Sequence, residues 1–208
     1  MLEQLKSRWS KKMAKSKMKE RLTVWERAEI AAKLSAIAYM DEVWAIGKCK
    51  KLGFASARLV SRGGAEVLIV KDRTDLWFAF RGTEPSKLND VLADLKVIKN
   101  IAKAGGKVHS GFQEEVDDVW MDIVKTLEHN DQLKIRKDVY ITGHSLGAAM
   151  ATISATRYNP EELFTFGSPR VGGNLFIKNI KCPHYRFMNN NDIVCRIPPA
   201  FLGFRHHG

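Results

Sequence analysis

Cysteine is scarce in this sequence. The three that occur, Cys49, Cys182 and Cys195, are odd in number and far apart. No CxxC pair or other metal-ligand spacing appears, so they read as free, reduced thiols rather than a disulfide framework or a metal site. Long apolar runs are absent too, and none could span a bilayer. The start, "MLEQLKSRWSKKMAKSKMKER", is basic but has no apolar centre, so it is not a secretory signal. A cytoplasmic location, or one peripheral to a membrane, is therefore expected. Negative charge is also in short supply. Lys and Arg number 34 against 23 Asp and Glu, a net charge of +11. Lys6, Arg8, Lys11, Lys12, Lys15, Lys17, Lys19 and Arg21 face only Glu3 and Glu20, so the excess is read as concentrated in the first 21 residues.

What is present is the make-up of one globular domain. The chain has 208 residues, 45% hydrophobic and 27% charged, enough for a sizeable core. There is no internal repeat and no convincing linker. Residues 1–23 form a basic amphipathic segment, with Leu2, Leu5, Trp9 and Met13 at helical spacing. Two readings of it stay open: an arm or first helix that packs on the domain, or a contact for an anionic membrane through residues 1–21. Residues 24–208 form the domain. An alanine-rich helix is expected over 24–40, and antiparallel strands over 57–60, 66–71 and 76–81. A helix is expected over 88–101, ended near Gly105-Gly106, and a long amphipathic helix after Gly111. Beyond it, strands at 138–142, 163–166 and 184–188 alternate with helices at 145–158 and 173–180. That alternation predicts a mainly parallel sheet covered on both faces, with antiparallel strands at its N-terminal side.

The stretch "DVYITGHSLGAAMATISA", residues 138–155, carries the strongest chemical signal. Gly-x-Ser-x-Gly alone is weak and also fits a tight turn that happens to contain a serine. Here it stands between a β-branched, aromatic strand and a good helix former, the context of a nucleophile elbow. Ser145 would then adopt a strained backbone, while Gly143 and Gly147 let strand and helix cross closely. The helix N-terminus would aim N–H groups at developing negative charge.

A serine needs a base, and the base needs a carboxylate. Asp192, in "NNNDIVCRIPP", follows a strand at its C-terminal end, where open α/β sheets place their sites. Glu161 and Glu162 precede a strand and fall on the wrong side. Oxyanion donors are expected from Leu146, next to the nucleophile, and from Thr83, in "LWFAFRGTEPS", although Thr83 by itself also reads as an ordinary turn residue. His109 and His144 are read as structural, and His184 begins its strand at the far end. His206 and His207 remain as histidines near the chain's last residues.

The segments "FAFRGTEPSKLNDVLADL", "VHSGF", "VYITGHSLGAAMA", "FTFGSPRVGG" and "NNNDIVCRIPP" resemble, in order and spacing, the class 3 (fungal-type) lipase family over roughly residues 30–208. The resemblance implies an α/β-hydrolase-like fold and a carboxylic-ester hydrolase, triacylglycerol lipase-like, acting on lipid or other acyl esters. It implies Ser145 as nucleophile, Asp192 as triad acid, Thr83 in the oxyanion hole and a lid over 84–95, with no metal or cofactor. Three departures stand out. Val91 replaces a frequent lid tryptophan, and Cys195 replaces a usual proline. The family's catalytic histidine lies several tens of residues past its aspartate. The expectation is that the natural protein continues past Gly208 and that the domain here lacks its C-terminal strand or strands. His206 is the candidate base within the chain, and an incomplete triad is the third possibility. Two other classes stay in play: an inactive hydrolase-fold binding module, and a basic nucleic-acid-binding protein. The latter ranks last, because no nucleic-acid-reading motif occurs and specific nucleic-acid binding is not expected.

Overall fold

A computed structural model of the chain describes residues 22–84, 99–132 and 137–208. The basic start, the expected lid from residue 85 onward and most of the helix expected over 88–101 lie outside the described residues. Among those described, the elements begin with helices α1 (Val24–Ile37) and α2 (Glu42–Lys51) and strands β1 (Ser56–Arg62), β2 (Ala65–Lys71) and β3 (Asp75–Phe80). The short strands β4 (Lys99–Ile101) and β5 (Lys107–His109) precede the long helix α3 (Ser110–Gln132). Then come β6 (Asp138–His144), α4 (Leu146–Arg157), β7 (Glu162–Phe166), α5 (Asn174–Ile177) and β8 (His184–Phe187).

One six-stranded sheet runs in the order β1-β2-β3-β6-β7-β8. The first three strands are antiparallel, and β3, β6, β7 and β8 are parallel. Side chains alternate across it, as a two-residue period requires. On β3, Leu76, Phe78 and Phe80 join a core with Val116, Val119 and Ile123 of α3 and Ala149 and Ile153 of α4. Trp77 and Ala79 face the other way, onto Ala28, Ala31, Leu34 and Ile37 of α1 and Ala45 and Cys49 of α2. The mainly parallel sheet with two helical layers is the expected architecture.

Local chemistry explains the start of α1. Thr23 caps it, and Glu26 completes a reciprocal capping box. Arg27 then forms a two-pronged ion pair with Glu162 at the head of β7, both contacts 2.6 Å. Glu162 is thus held on the side away from the strands' C-terminal ends. The small residues of α1 bring it close to β6, where Ser35 Oγ and Thr142 Oγ1 meet at 2.9 Å in the buried layer. Two elements differ from expectation. Residues 99–101 are a strand paired with β5, joined to it through Gly105 and Gly106, both at positive φ. The sequence reading also passed over α2, which buries only Ala45 and Cys49 and so shows little apolar period.

Candidate active site

Ser145 stands where β6 meets α4, with φ 56° and ψ −127°. It is the one non-glycine residue at positive φ among the described residues. Such a conformation is strained and persists only where its surroundings enforce it. Here Ser145 N–H donates to Phe166 O at 2.9 Å, and Ala148 N–H donates to Ser145 O at 3.0 Å. The flanking glycines are sterically required. A Cβ on Gly143 would overlap Gly147 O and lie 2.8 Å from Ala148 N. One on Gly147 would overlap Phe80 O and lie 2.9 Å from Gly82 N. The helix therefore crosses both its own strand and the end of β3 at backbone contact.

That close crossing brings Gly82 and Thr83 to the elbow. A Cβ on Gly82 would lie 2.6 Å from His144 O and overlap the Tyr39 hydroxyl. Thr83 and Leu146 line one cavity of about 370 Å³, together with Glu66, Arg81, Glu115 and Met150. Leu146 carries the first amide of α4, where no intrahelical acceptor exists. Arg81 is paired with both Glu66 and Glu84. Burial, with Asp118 as a smaller influence, pushes the Glu115 carboxyl up. A second cavity, about 460 Å³, opens on the other side of the elbow between Ala32, Ala36, Tyr39, His144 and Phe166.

Tyr39, just past α1, is a site residue that the sequence reading did not single out. Its hydroxyl lies 2.9 Å from His144 Nδ1. Burial pushes its phenol up to about 12, opposed by a hydrogen bond from the Gly82 backbone. The same hydroxyl donates to His144 O at 3.5 Å, and its role at Nδ1, donor or acceptor, is set by the His144 tautomer. Burial lowers the His144 pKa, and the charge of Asp192 acts in the opposite direction. A Cβ built on Gly167 would sit 2.7 Å from Asp192 Oδ2 and 3.7 Å from His144 Nε2, so the two side chains converge there.

Asp192 lies in the loop after β8, at the C-terminal end of the parallel strands. Its Oδ1 accepts from Val194 N–H at 2.9 Å, and its Oδ2 from Cys195 Sγ–H at 3.5 Å. Ser145 is 1% exposed, and its Oγ has no hydrogen-bond partner among the described residues. His206 is not brought to it: His206 Nε2–H donates to Cys195 O at 2.8 Å. Nor is His207, whose Nδ1 lies 3.1 Å from His184 Nδ1. His184 in turn meets Thr165 Oγ1 at 2.8 Å. His109 is buried and stacks on Phe112, their rings 4.3 Å apart.

In sequence and in fold the chain is similar to known lipases. The lipase of Rhizomucor miehei is 34% identical over 164 residues, covering 72% of this chain and 43% of that protein. The secreted mono- and diacylglycerol lipase 1 of Fusarium solani is 36% identical over 110 residues, 50% of this chain and 33% of its own length. The chain thus spans less than half the length of these curated relatives. Among solved structures, the lipase of Rhizopus microsporus var. chinensis superposes with a TM-score of 0.74 at 23% identity, covering 90% of this chain and 74% of that one. A triacylglycerol lipase in which a serine protease triad forms the catalytic centre gives 0.73 at 24% identity, covering 90% and 80%. At such identities these two matches speak for the fold. The family described as "Lipase (class 3)" matches residues 77–202, the span from β3 through the elbow to the loop beyond Asp192, and the chain belongs to that family.

Proposed function

We propose that the chain is a serine carboxylic-ester hydrolase that cleaves acyl esters of lipids. The observation that carries this is Ser145 itself, at φ 56° between two glycines that a methyl group could not replace, opening a helix beside Gly82 and Thr83. In this reading Ser145 Oγ attacks the acyl carbonyl while a histidine takes its proton. Asp192 orients that histidine, and Thr83 and the Leu146 N–H stabilise the oxyanion. The histidine returns the proton to the leaving alcohol, and water then cleaves the acyl-enzyme. His206 is the candidate base within the chain. To serve, it would leave Cys195 O, three residues along from Asp192. The two cavities flanking the elbow suit the two ends of an ester: a charged one on the Thr83 side, and one of largely apolar lining on the His144 side. Residues 1–21 are proposed as a peripheral contact with anionic membrane, consistent with a cytoplasmic or membrane-peripheral protein. No helix among the described residues is long and apolar enough to cross a membrane.

A second reading, a hydrolase fold kept as a binding module, is favoured by the unpartnered Ser145 Oγ. Fluorophosphonate labelling separates the two. The hydrolase reading expects label on Ser145, mapped by mass spectrometry and absent from Ser145→Ala. It expects labelling about 10²–10³-fold slower in Thr83→Ala, as for loss of one oxyanion donor. Labelling that survives in His206→Ala places the base elsewhere. A folded chain that takes no label supports the binding module.

A further inference from the structure

The net charge divides in an unexpected way. Residues 22–162 hold equal numbers of basic and acidic side chains, so the +11 belongs entirely to the two ends. Residues 163–208 carry Arg170, Lys178, Lys181, Arg186, Arg196 and Arg205 against the single acid Asp192. The first 21 residues are therefore not the only basic segment. The second one is folded onto the proposed active site.

Three of the four arginines of this second segment are tied to main chain and the fourth, Arg186, to a methionine sulfur. Arg170 Nη1 donates to Pro198 O at 3.0 Å and also reaches Arg196 O. Arg196 donates to Asn190 O at 3.2 Å, and Arg205 to Ala200 O at 2.6 Å and Phe204 O at 2.8 Å. Arg186 reaches Met188 Sδ at 3.2 Å. Among the described residues, none of these four has a carboxylate partner; the ion pairs there lie on other elements. Asp192 offsets one of these six charges and is itself bonded to Val194 N–H and Cys195 Sγ–H rather than to an arginine, so the segment keeps a net charge of +5. These contacts gather residues 188–205 into one compact loop. The same loop turns large apolar side chains outward: Phe201 is 87% exposed, Ile193 64% and Met188 50%. Arg196 and Arg205 are exposed beside them in sequence.

Exposed apolar side chains rimmed by uncompensated guanidinium groups fit a surface with an apolar interior and anionic headgroups. We propose that the loop 188–205 is a docking surface for an anionic lipid bilayer. Ile193 and Phe201 enter the headgroup–acyl boundary, and Arg196 and Arg205 meet lipid phosphates. Ile193 adjoins Asp192, so docking here would set the mouth of the proposed active site against the lipid. The surface is distinct from residues 1–21, and its test does not depend on hydrolysis.

The test uses the full chain carrying Ser145→Ala, so that no ester is consumed, in co-sedimentation with vesicles at low salt. One vesicle set is phosphatidylcholine alone and the other an equal mixture with phosphatidylglycerol. The expected result is preferential binding to the mixed vesicles, weakened about fivefold by each of Arg196→Gln and Arg205→Gln. Phe201→Ser, an exposed position with no packing to lose, should weaken binding to both sets. Unchanged binding in the double arginine variant overturns the proposal. So does complete loss of binding on replacing Lys11, Lys12 and Lys15 with glutamine, which would assign it to the N-terminal segment. If the arginine variants instead lose only the salt-dependent shift of an RNA oligonucleotide, the surface faces nucleic acid and the proposal also fails.

Discussion

The surroundings of Ser145 and of Asp192 are built in opposite ways. Around Ser145, backbone meets backbone: Gly143, Gly147 and Gly82 bring three chain segments together with no room for a methyl group. Around Asp192, side chains reach main-chain atoms across a loop that leaves apolar groups in solvent. The first arrangement fixes residue types through sterics, at fixed spacings along the chain. The second fixes a shape by contacts that other residues could supply. The difference teaches why a candidate nucleophile can be named from one short motif while its partners must be gathered from distant segments.

Substituting glycine in each region should break the symmetry most strongly. Gly147→Ala forces a methyl group onto Phe80 O and should cost about 3 kcal/mol of stability. Gly173→Ala, near the acid loop, meets Gly203 O at an ordinary 3.4 Å and should stay within about 0.5 kcal/mol. Urea unfolding of both variants checks this. Equal effects would remove the distinction between the two regions.

Tyr39→Phe sharpens the comparison, because Tyr39 bridges the elbow and the Gly82-Thr83 segment. Removing the hydroxyl leaves His144 Nδ1 and the Gly82 N–H short of a partner, at a cost of about 1–2 kcal/mol. The same variant should slow Ser145 labelling. Unchanged stability with unchanged labelling would mean the bridge is idle.

The effect that is smallest near neutral pH, and that grows on acidification, is the pH dependence of the histidine pair below the acid loop. Burial first, then the charges of His207 and Arg186, lower His184 from 6.5 to about 3. The unfolded chain therefore binds a proton between those values that the folded chain does not. Stability is complete above about pH 6.5 and falls as pH drops towards 3, by at most about 1.4 kcal/mol per pH unit for this one proton. Burial also lowers His144, His206 and His207, which add to the same slope. Acid titration of the unfolding midpoint checks the slope, and His184→Gln should flatten it.

Much of the fold was legible in the sequence, for reasons that can be named. The short, β-rich apolar runs of β2 and β3, with the glycine pair before β2 and the polar turn Asp72–Asp75 before β3, gave the antiparallel start. The strand–helix alternation after Gly111 gave the parallel half. α2 was not legible, because "EVWAIGKCKK" turns Val43 and Trp44 outward and buries only two small residues. The strand at 99–101 was not legible either, since three residues carry no period and its partner lies beyond a turn.

At the site the division follows sequence distance. Gly143, Ser145 and Gly147 announce themselves because one backbone crossing demands all three within five residues. Tyr39 lies 105 residues from the His144 it contacts, and nothing in "SAIAYMDE" signals that bond. The positive loop around Asp192 was hidden in the same way, because its arginines are spread from 170 to 205 and become one surface only when the loop closes on their main-chain contacts. The sequence by itself determined the elbow, the sheet's direction and the family, since these rest on local sterics and periodicity. Only the tertiary structure decided which backbone segments close on Ser145, which groups Asp192 contacts and where the charge gathers, because those depend on contacts between segments far apart in the chain.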